Sequence, residues 1–412
     1  MSAAEVLPRK PVDRQSQSTL VRDRQVVMRT PAAPQPVVGA FGLLMVLAFS
    51  LPADVVARQT PSIPQWTVGP EPSVSIGVSE GADEYLFASV STAVLDPRGQ
   101  FYAGDMGVPT VSVFAPDGTF VRTIGTKGNG PGEYYSINAL DVKDDGRIRI
   151  LDSRLQRLLV FDASGAHVST TVLNSNGFKH FGAFVGERVA SFESTHPGRA
   201  GDVGSILADT LRVATTAIGG DDRMIAGRVS AGRRYVHEDR GRILFSYVPF
   251  ETSAVYASNG RTLVFGNGVE SAVTVVSSSG AATRLELAVT PTRVTSEIKS
   301  AFRSRTLDAA EEGSLPAWEA YLDNVPFPDG LPYFQRIAID ATDAIWLQKF
   351  RFDDTDANSW MVVGADGRLI AEASLPIGFV PTSIGADWMV GVLKDADGFQ
   401  RVVRYTLDRK TE

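Results

Sequence analysis

Cysteine is missing altogether from this 412-residue chain. That removes disulfides, thiolate nucleophiles, zinc-ribbon sites and a lipid-modified N-terminal cysteine together. Histidine is scarce: His167, His180, His196 and His237 are all there are, and no pair has metal-ligand spacing. An excess of basic charge is lacking too, with 40 Lys and Arg against 47 Asp and Glu, a formal net charge of −7. A general nucleic-acid binder needs a basic face to displace counterions from phosphates, so that class is excluded. The chain is read as having no nucleophile elbow, which leaves acyl transfer without a warrant.

Long hydrophobic runs are also few. The sustained one, Val37 to Ser50, has 14 residues, too short for comfortable passage across a hydrocarbon core of roughly 30 Å. "LPADVVA" follows it, with Val55 and Ala57 at the −3 and −1 positions of a small-residue cleavage site. Residues 1–57 are therefore expected to be a targeting segment, with 1–36 a disordered or mis-called start and Met28 the better initiator. Residues 58–64 read as a linker. The expectation is a periplasmic or secreted protein with no stable membrane span after cleavage.

What the chain does hold is a repeat. "LDPRGQFYAGDMGVPTVSVFAPDGTFVRTIG" lies over "VKDDGRIRILDSRLQRLLVFDASGAHVSTTV", pairing Gly99 with Gly146, Asp105 with Asp152, Phe114 with Phe161 and Gly118 with Gly165, every offset 47. A fixed period of this size signals stacked supersecondary units. Inside the unit, Ile148 and Ile150 alternate with Arg147 and Arg149, and Val111 and Val113 flank Ser112. Alternation over short runs predicts strands with one buried face, and "PDG", "DDG" and "SG" supply the positive φ of tight hairpins. Each unit reads as an antiparallel meander that must pack against a neighbour.

Fainter copies follow. One sets Gly260 and Gly280 around Val275 and Val276; another has Asp343, Ile345, Trp346, Val362, Val363 and Gly367. A degenerate unit falls in roughly 178–250, and "TSIGADWMVGVLKDADGFQRVVRYTL" forms the last. The total is six. The glycine-rich "GTKGNGPGEYY" between the first two copies could cradle a phosphate, but Lys127 comes too early, Pro131 interrupts and strand-like "ALDV" follows. It reads as a chain reversal between units.

Six such units close most naturally into an all-β ring, a six-bladed β-propeller of four-stranded antiparallel blades spanning 65–408. Gln65 to Val78 is expected to pair beside "RVVRYTL" and close the circle. "TPTRVTSEIKSAFRSRTLDAAEEGSLPAWEAYLDNVPFPDG" breaks the pattern: Ile298 and Phe302, then Trp318, Tyr321 and Leu322, have helical spacing, with Thr295 as N-cap. A helical insertion is expected at about 292–325, between blades four and five.

The Gly-x-Gly-x-Gly-Glu turn (Gly128 to Glu133), Asp152, Arg157 and the Val160-Phe161-Asp162 strand resemble the NHL-type repeat of exported bacterial six-bladed propellers. The likeness is strongest over about 70–175 and returns over 326–407. Thr110 departs from it, standing where the second unit has Arg157. The resemblance implies architecture, and a ligand on one rim. That rim would carry Glu133, Tyr134, Tyr135, Arg154, Arg157, Lys349 and Arg351. Asp105 and Asp152, recurring beside a loop, are expected to bond their own turns.

Some six-bladed propellers hold zinc on inner-strand histidines, and no such set is present here. "DTDANS" (Asp354, Asp356, Asn358) imitates the start of a calcium loop but has Ser359 for glycine and Ala365 for the final acid. The leading expectation is a monomeric exported scaffold for a peptide, glycan or protein, without catalytic residues, metal or cofactor. The alternative is a calcium-dependent, lactonase-like hydrolase working in the central channel.

Overall fold

The strands gather into sheets whose order follows the sequence. In the computed structural model the described residues are 63–173, 179–195, 201–239, 241–351 and 357–410. The expected signal, His196, Asp354 and Asp356 lie outside them.

Blade one is Val90–Leu95, Phe101–Asp105, Thr110–Phe114 and Phe120–Ile124; blade two is Ala139–Val142, Ile148–Asp152, Arg157–Phe161 and His167–Val172. Every neighbouring pair is antiparallel. The hairpins are punctuated as the repeat predicts, with Gly118 at φ 88° and Gly165 at φ 89°. A side chain in that left-handed region would be strained. Blade four (Val255 to Glu286), blade five (Arg336 to Leu375) and blade six (Phe379 to Asp408) follow.

The core is not one mass. Six apolar clusters each straddle one seam between adjacent sheets. Tyr102, Val111 and Val113 of blade one meet Ile148, Ile150 and Phe161 of blade two. Leu151 and Leu158 then meet Phe181 and Val189 of blade three. The next two seams hold Val213 against Phe265, and Val264 against Leu347. Trp346 packs with Met389 between blades five and six, and Val390 with Phe101 between six and one. Six seams among six sheets close a ring. Each sheet thus buries both faces, which an isolated meander could not do.

The N-terminal segment fastens the circle. Val74–Ile76 is the outer strand of blade six, Ile76 opposite Val402 and Val74 opposite Arg404. Just ahead of it, Gln65 and Trp66 pair parallel with Glu372 and Ala373 of blade five, while Thr67 and Val68 pair antiparallel with Asp408 and Leu407 of blade six. The segment therefore stitches two blades, where the sequence implied one.

Blade three departs most from the repeat. Its strands are Lys179–Val185, Arg188–Ser194, Ile206–Ala217, Arg223–Asp239 and a fifth, Arg242–Tyr247. Arg188–Ser194 covers only the Leu211–Ala217 part of the third strand. Ile206–Thr210, Ser230–Asp239 and the fifth strand run on beyond it as a three-stranded extension. Between blades four and five stand helices α1 (Ser296–Asp308) and α2 (Leu315–Asn324). The Thr295 hydroxyl accepts the Ile298 N–H at 3.4 Å, the capping read from sequence.

Candidate functional site

Chain direction decides which loops share a rim. With antiparallel strands, the turn between second and third strands emerges at the same end as the connection into the next blade. Asp152, closing the second strand of blade two, ties the two together. Its carboxylate accepts N–H groups of Arg154 and Leu155 in its own turn, at 3.0 and 3.1 Å, as expected. It also accepts the Tyr135 N–H at 2.8 Å and the Ser136 hydroxyl at 2.7 Å from the incoming connection. Asp105 repeats this with Gly107 in its turn and Ala88 and Ser89 upstream, at 2.7, 2.7 and 2.9 Å.

The seven candidate residues divide. Tyr134 is fully buried, its hydroxyl donating to the Ile124 carbonyl, and burial holds its phenol well above the usual range. Arg157 donates to the carbonyls of Gly128, Asn129 and Glu133, so it pins the glycine-rich loop. The Glu133 carboxylate accepts the Gly130 N–H at 2.7 Å inside that loop. These three build the rim. Arg154 is exposed and lies 5.0 Å over the Tyr135 ring, a pair that faces solvent. Lys349 pairs with Glu372 at 2.8 Å, and the Arg351 N–H donates to Gln335.

Between Lys349 and Arg351 sits Phe350, which lines a cavity the sequence reading missed. About 540 Å³ in volume, it lies among Phe245–Glu251, Phe302 and Thr306 of α1, Trp318 and Tyr321 of α2, and Phe350. The helices reach this place because they connect blade four to blade five on the same rim as the extension of blade three. Tyr321 and Leu322 of α2 pack on Tyr235 and Val248. The Tyr321 hydroxyl donates to the Tyr247 carbonyl. Phe250 packs its ring against Phe302, Phe327 and Phe350 at centroid distances of 5.0, 5.9 and 6.1 Å. Its φ is +59°, costly for a bulky residue by roughly 1–3 kcal/mol, so those three rings hold the backbone bent at the cavity wall. Glu251, its side chain 2% exposed, is neutralised by Arg233 at 2.9 Å.

His237 supports the wall from behind. It is buried between Tyr235 and Tyr321, its Nε2 2.9 Å from the Ser246 hydroxyl, and burial pushes its pKa down. Nothing in its spacing from the other histidines pointed to this role.

A second cavity of about 660 Å³ follows the ring axis, lined from all six inner strands and the turns after them. Of the three carboxylates in its lining, Asp96, Asp141 and Asp144, two are tied to their surroundings. Asp96 accepts the N–H groups of Arg98 and Gln100, both at 2.9 Å, and Asp141 pairs with Arg149 and with Lys143. Asp340, fully buried beside the lining, is held by Arg409 at 2.9 Å and by Trp346 Nε1 at 3.1 Å. Among the described residues no three acidic or histidine side chains gather at a metal-binding distance. Asn358, from the calcium-like stretch, is a buried bracket: Trp360 and Gln348 donate to it, and it donates to the carbonyls of Pro376 and Phe379.

One formal motif needs correcting. Gly77-Val78-Ser79-Glu80-Gly81 has the spacing of a nucleophile elbow. A working elbow sits on a strand-to-helix turn. Here Ser79 is exposed after the closing strand, and the next element is a single 3-10 turn, Asp83–Tyr85.

Fold and rim together define a six-bladed β-propeller with one built-up rim. The profile of a family described as a 6-bladed beta-propeller matches residues 80–181. Among solved structures, a DUF4221-family protein of Bacteroides vulgatus is 10% identical, covering 85% of this chain and 100% of its own, with a TM-score of 0.47. A Bacteroides fragilis protein provisionally designated as exported is 12% identical over the same shares, with a TM-score of 0.45. Virginiamycin B lyase of Staphylococcus aureus is 9% identical, covering 83% of this chain and 99% of its own at a TM-score of 0.36. No curated protein matches the chain in sequence. No helix among the described residues is long and apolar enough to cross a membrane.

Proposed function

We propose that the protein is an exported, NHL-type propeller that serves as a binding scaffold, holding a peptide, glycan or protein partner on the rim of Tyr135, Arg154 and Phe350. One observation carries the reading. On this rim the chain builds beyond what ring closure requires, adding the blade-three extension and two helices that enclose an aromatic cavity. Aromatic walls with a few fixed polar groups are what recognition sites are made of. Export and the cleaved signal at Ala57 belong to the same reading, as do the domain limits 65–408.

The test is partner capture from the exported fraction of the source cells. Trp318→Lys and Arg154→Glu should abolish capture, whereas Asp117→Lys on the opposite rim should leave it intact. Capture indifferent to all three would remove the site from this rim.

The alternative, a calcium-dependent lactonase-like hydrolase, needs several channel carboxylates to meet an ion; Asp96 and Asp141 are already bonded, and Asp144 is the third acid of the lining. Stoichiometric calcium in the purified protein would favour it.

A further inference from the structure

The aromatic cavity runs along an open sheet edge. In the order of blade three, the fifth strand, Arg242–Tyr247, is terminal, and no described residue pairs with it on its far side. In an antiparallel pair, alternate residues turn their N–H and C=O groups toward the partner strand and away from it. Val248 donates to the Arg233 carbonyl at 3.0 Å. With the register Tyr235 to Ser246 and His237 to Leu244, that bond makes Leu244 and Ser246 the inward residues. Ile243, Phe245 and Tyr247 therefore offer their backbone groups outward.

Their side chains form a stripe at a spacing of two, 46%, 43% and 56% exposed. Protein edges of this kind are normally blunted by charge, proline or cover, because an open apolar edge invites another strand. Here no described residue pairs with the edge, and aromatic rings wall it instead. Trp318 and Phe302 line one cavity of about 540 Å³ together with Phe245–Tyr247 of the edge. The Tyr321 hydroxyl occupies the Tyr247 carbonyl and so terminates the open ladder. At the other end Arg242 is exposed and favours an acidic group.

We propose that this edge binds an extended peptide by strand addition: bulky apolar residues at alternate positions, ending in an acidic group beside Arg242. Main-chain bonds supply affinity in this mode and alternate side chains supply choice. The proposal rests on the scaffold reading and narrows it to one partner chemistry and one docking geometry.

The probe is a fluorescein-labelled peptide, Glu-Thr-Val-Thr-Phe-Thr-Phe-Thr, titrated against the mature protein by anisotropy. Two companions control it: the same peptide N-methylated at alternate amides, and one with its apolar residues in a single block. Binding is expected for the first, with at least a tenfold loss on N-methylation, since the methyl groups remove the N–H donors that the edge carbonyls would accept. Phe245→Pro deletes an outward N–H that the fold does not use, and should weaken binding more than Phe245→Ala, which loses only the ring. Arg242→Glu should weaken it as well. Hydrogen exchange guards against misfolded variants: in the wild type, the amides of Ile243, Phe245 and Tyr247 should exchange fast alone and slow when peptide is added. Equal binding of the N-methylated or blocked peptide, or no slowing at those amides, overturns the proposal. So does slow exchange without peptide, which would mean that a second copy holds the edge. If no peptide binds while capture still depends on Trp318, strand addition falls and the scaffold reading stands. If capture ignores Trp318 while the peptide still protects those amides, the reverse holds.

Discussion

Asp152 and Tyr135, seventeen residues apart, are joined by a 2.8 Å bond from the Tyr135 N–H to the Asp152 carboxylate. This bond locks the connection entering blade two to the turn leaving its second strand. Asp152 is fully buried and its other partners are also N–H and O–H donors. Replacing it by Ala would leave several donors unmet, at a cost on the order of 2–4 kcal/mol. Asp152→Ala should lower the melting temperature clearly more than Asp117→Ala at an exposed hairpin; equal effects would reduce Asp152 to a local turn former.

Ring closure makes a second prediction. Ile76 is 1% exposed and packs with Phe101 and Val402. Ile76→Ala should cost about 2–5 kcal/mol in chemical denaturation. Deleting 65–76 should destabilise the entire ring in one transition. If only blade six loses protection in hydrogen exchange, closure is local and the cooperative ring is refuted.

Arg409 offers a third. It pairs with the fully buried Asp340 at 2.9 Å and covers the Trp66 ring at 4.7 Å, linking the end of the Gln400–Asp408 strand to the Gln65–Val68 strand. Arg409→Met strands a buried carboxylate, so a loss of about 3–5 kcal/mol is expected. Adding Asp340→Asn should recover part of that loss, because residues in contact are not additive. Strict additivity in the double-mutant cycle would show no coupling.

His237 predicts a pH dependence. Burial lowers its folded pKa below the unfolded value near 6.5. The unfolded chain then binds more protons, so this contribution is present above 6.5 and is lost as pH falls through the folded pKa. Melting temperature should drop on acidification from pH 7.5 to 5. It should drop less in His237→Phe; parallel curves would mean that the imidazole does not titrate on unfolding.

Much of the architecture was readable because glycine and aspartate recur at fixed offsets. Gly118 and Gly165, Asp105 and Asp152 are positions where backbone conformation or turn bonding dictates the residue. Blade three was not readable: Ile206–Ala217 and Arg223–Asp239 run past the blade, and Gly227 and Gly232 mark register shifts opposite Val213 and Asp209 where the sequence pattern suggests turns. The candidate site was legible only as a rim. Arg154 and Tyr135 meet there, but Arg157 and Tyr134 are consumed by the loop's own carbonyls and core, which spacing does not reveal. The cavity escaped notice because its rings come from four separate stretches. Phe302 on one helix and Trp318 and Tyr321 on the next showed only helical spacing in the sequence.

The bond between Ser73 and Arg404 spans 331 residues. On a ribosome delivering 5–20 residues per second, the leading strand waits roughly tens of seconds for its partner. Through that interval blade six consists of Val74–Ile76 alone, and its seam with blade one stays wet. Resistance to protease should therefore arrive late and all at once, and the carboxy-terminal strand acts as the clasp that decides when the newborn chain becomes a protein.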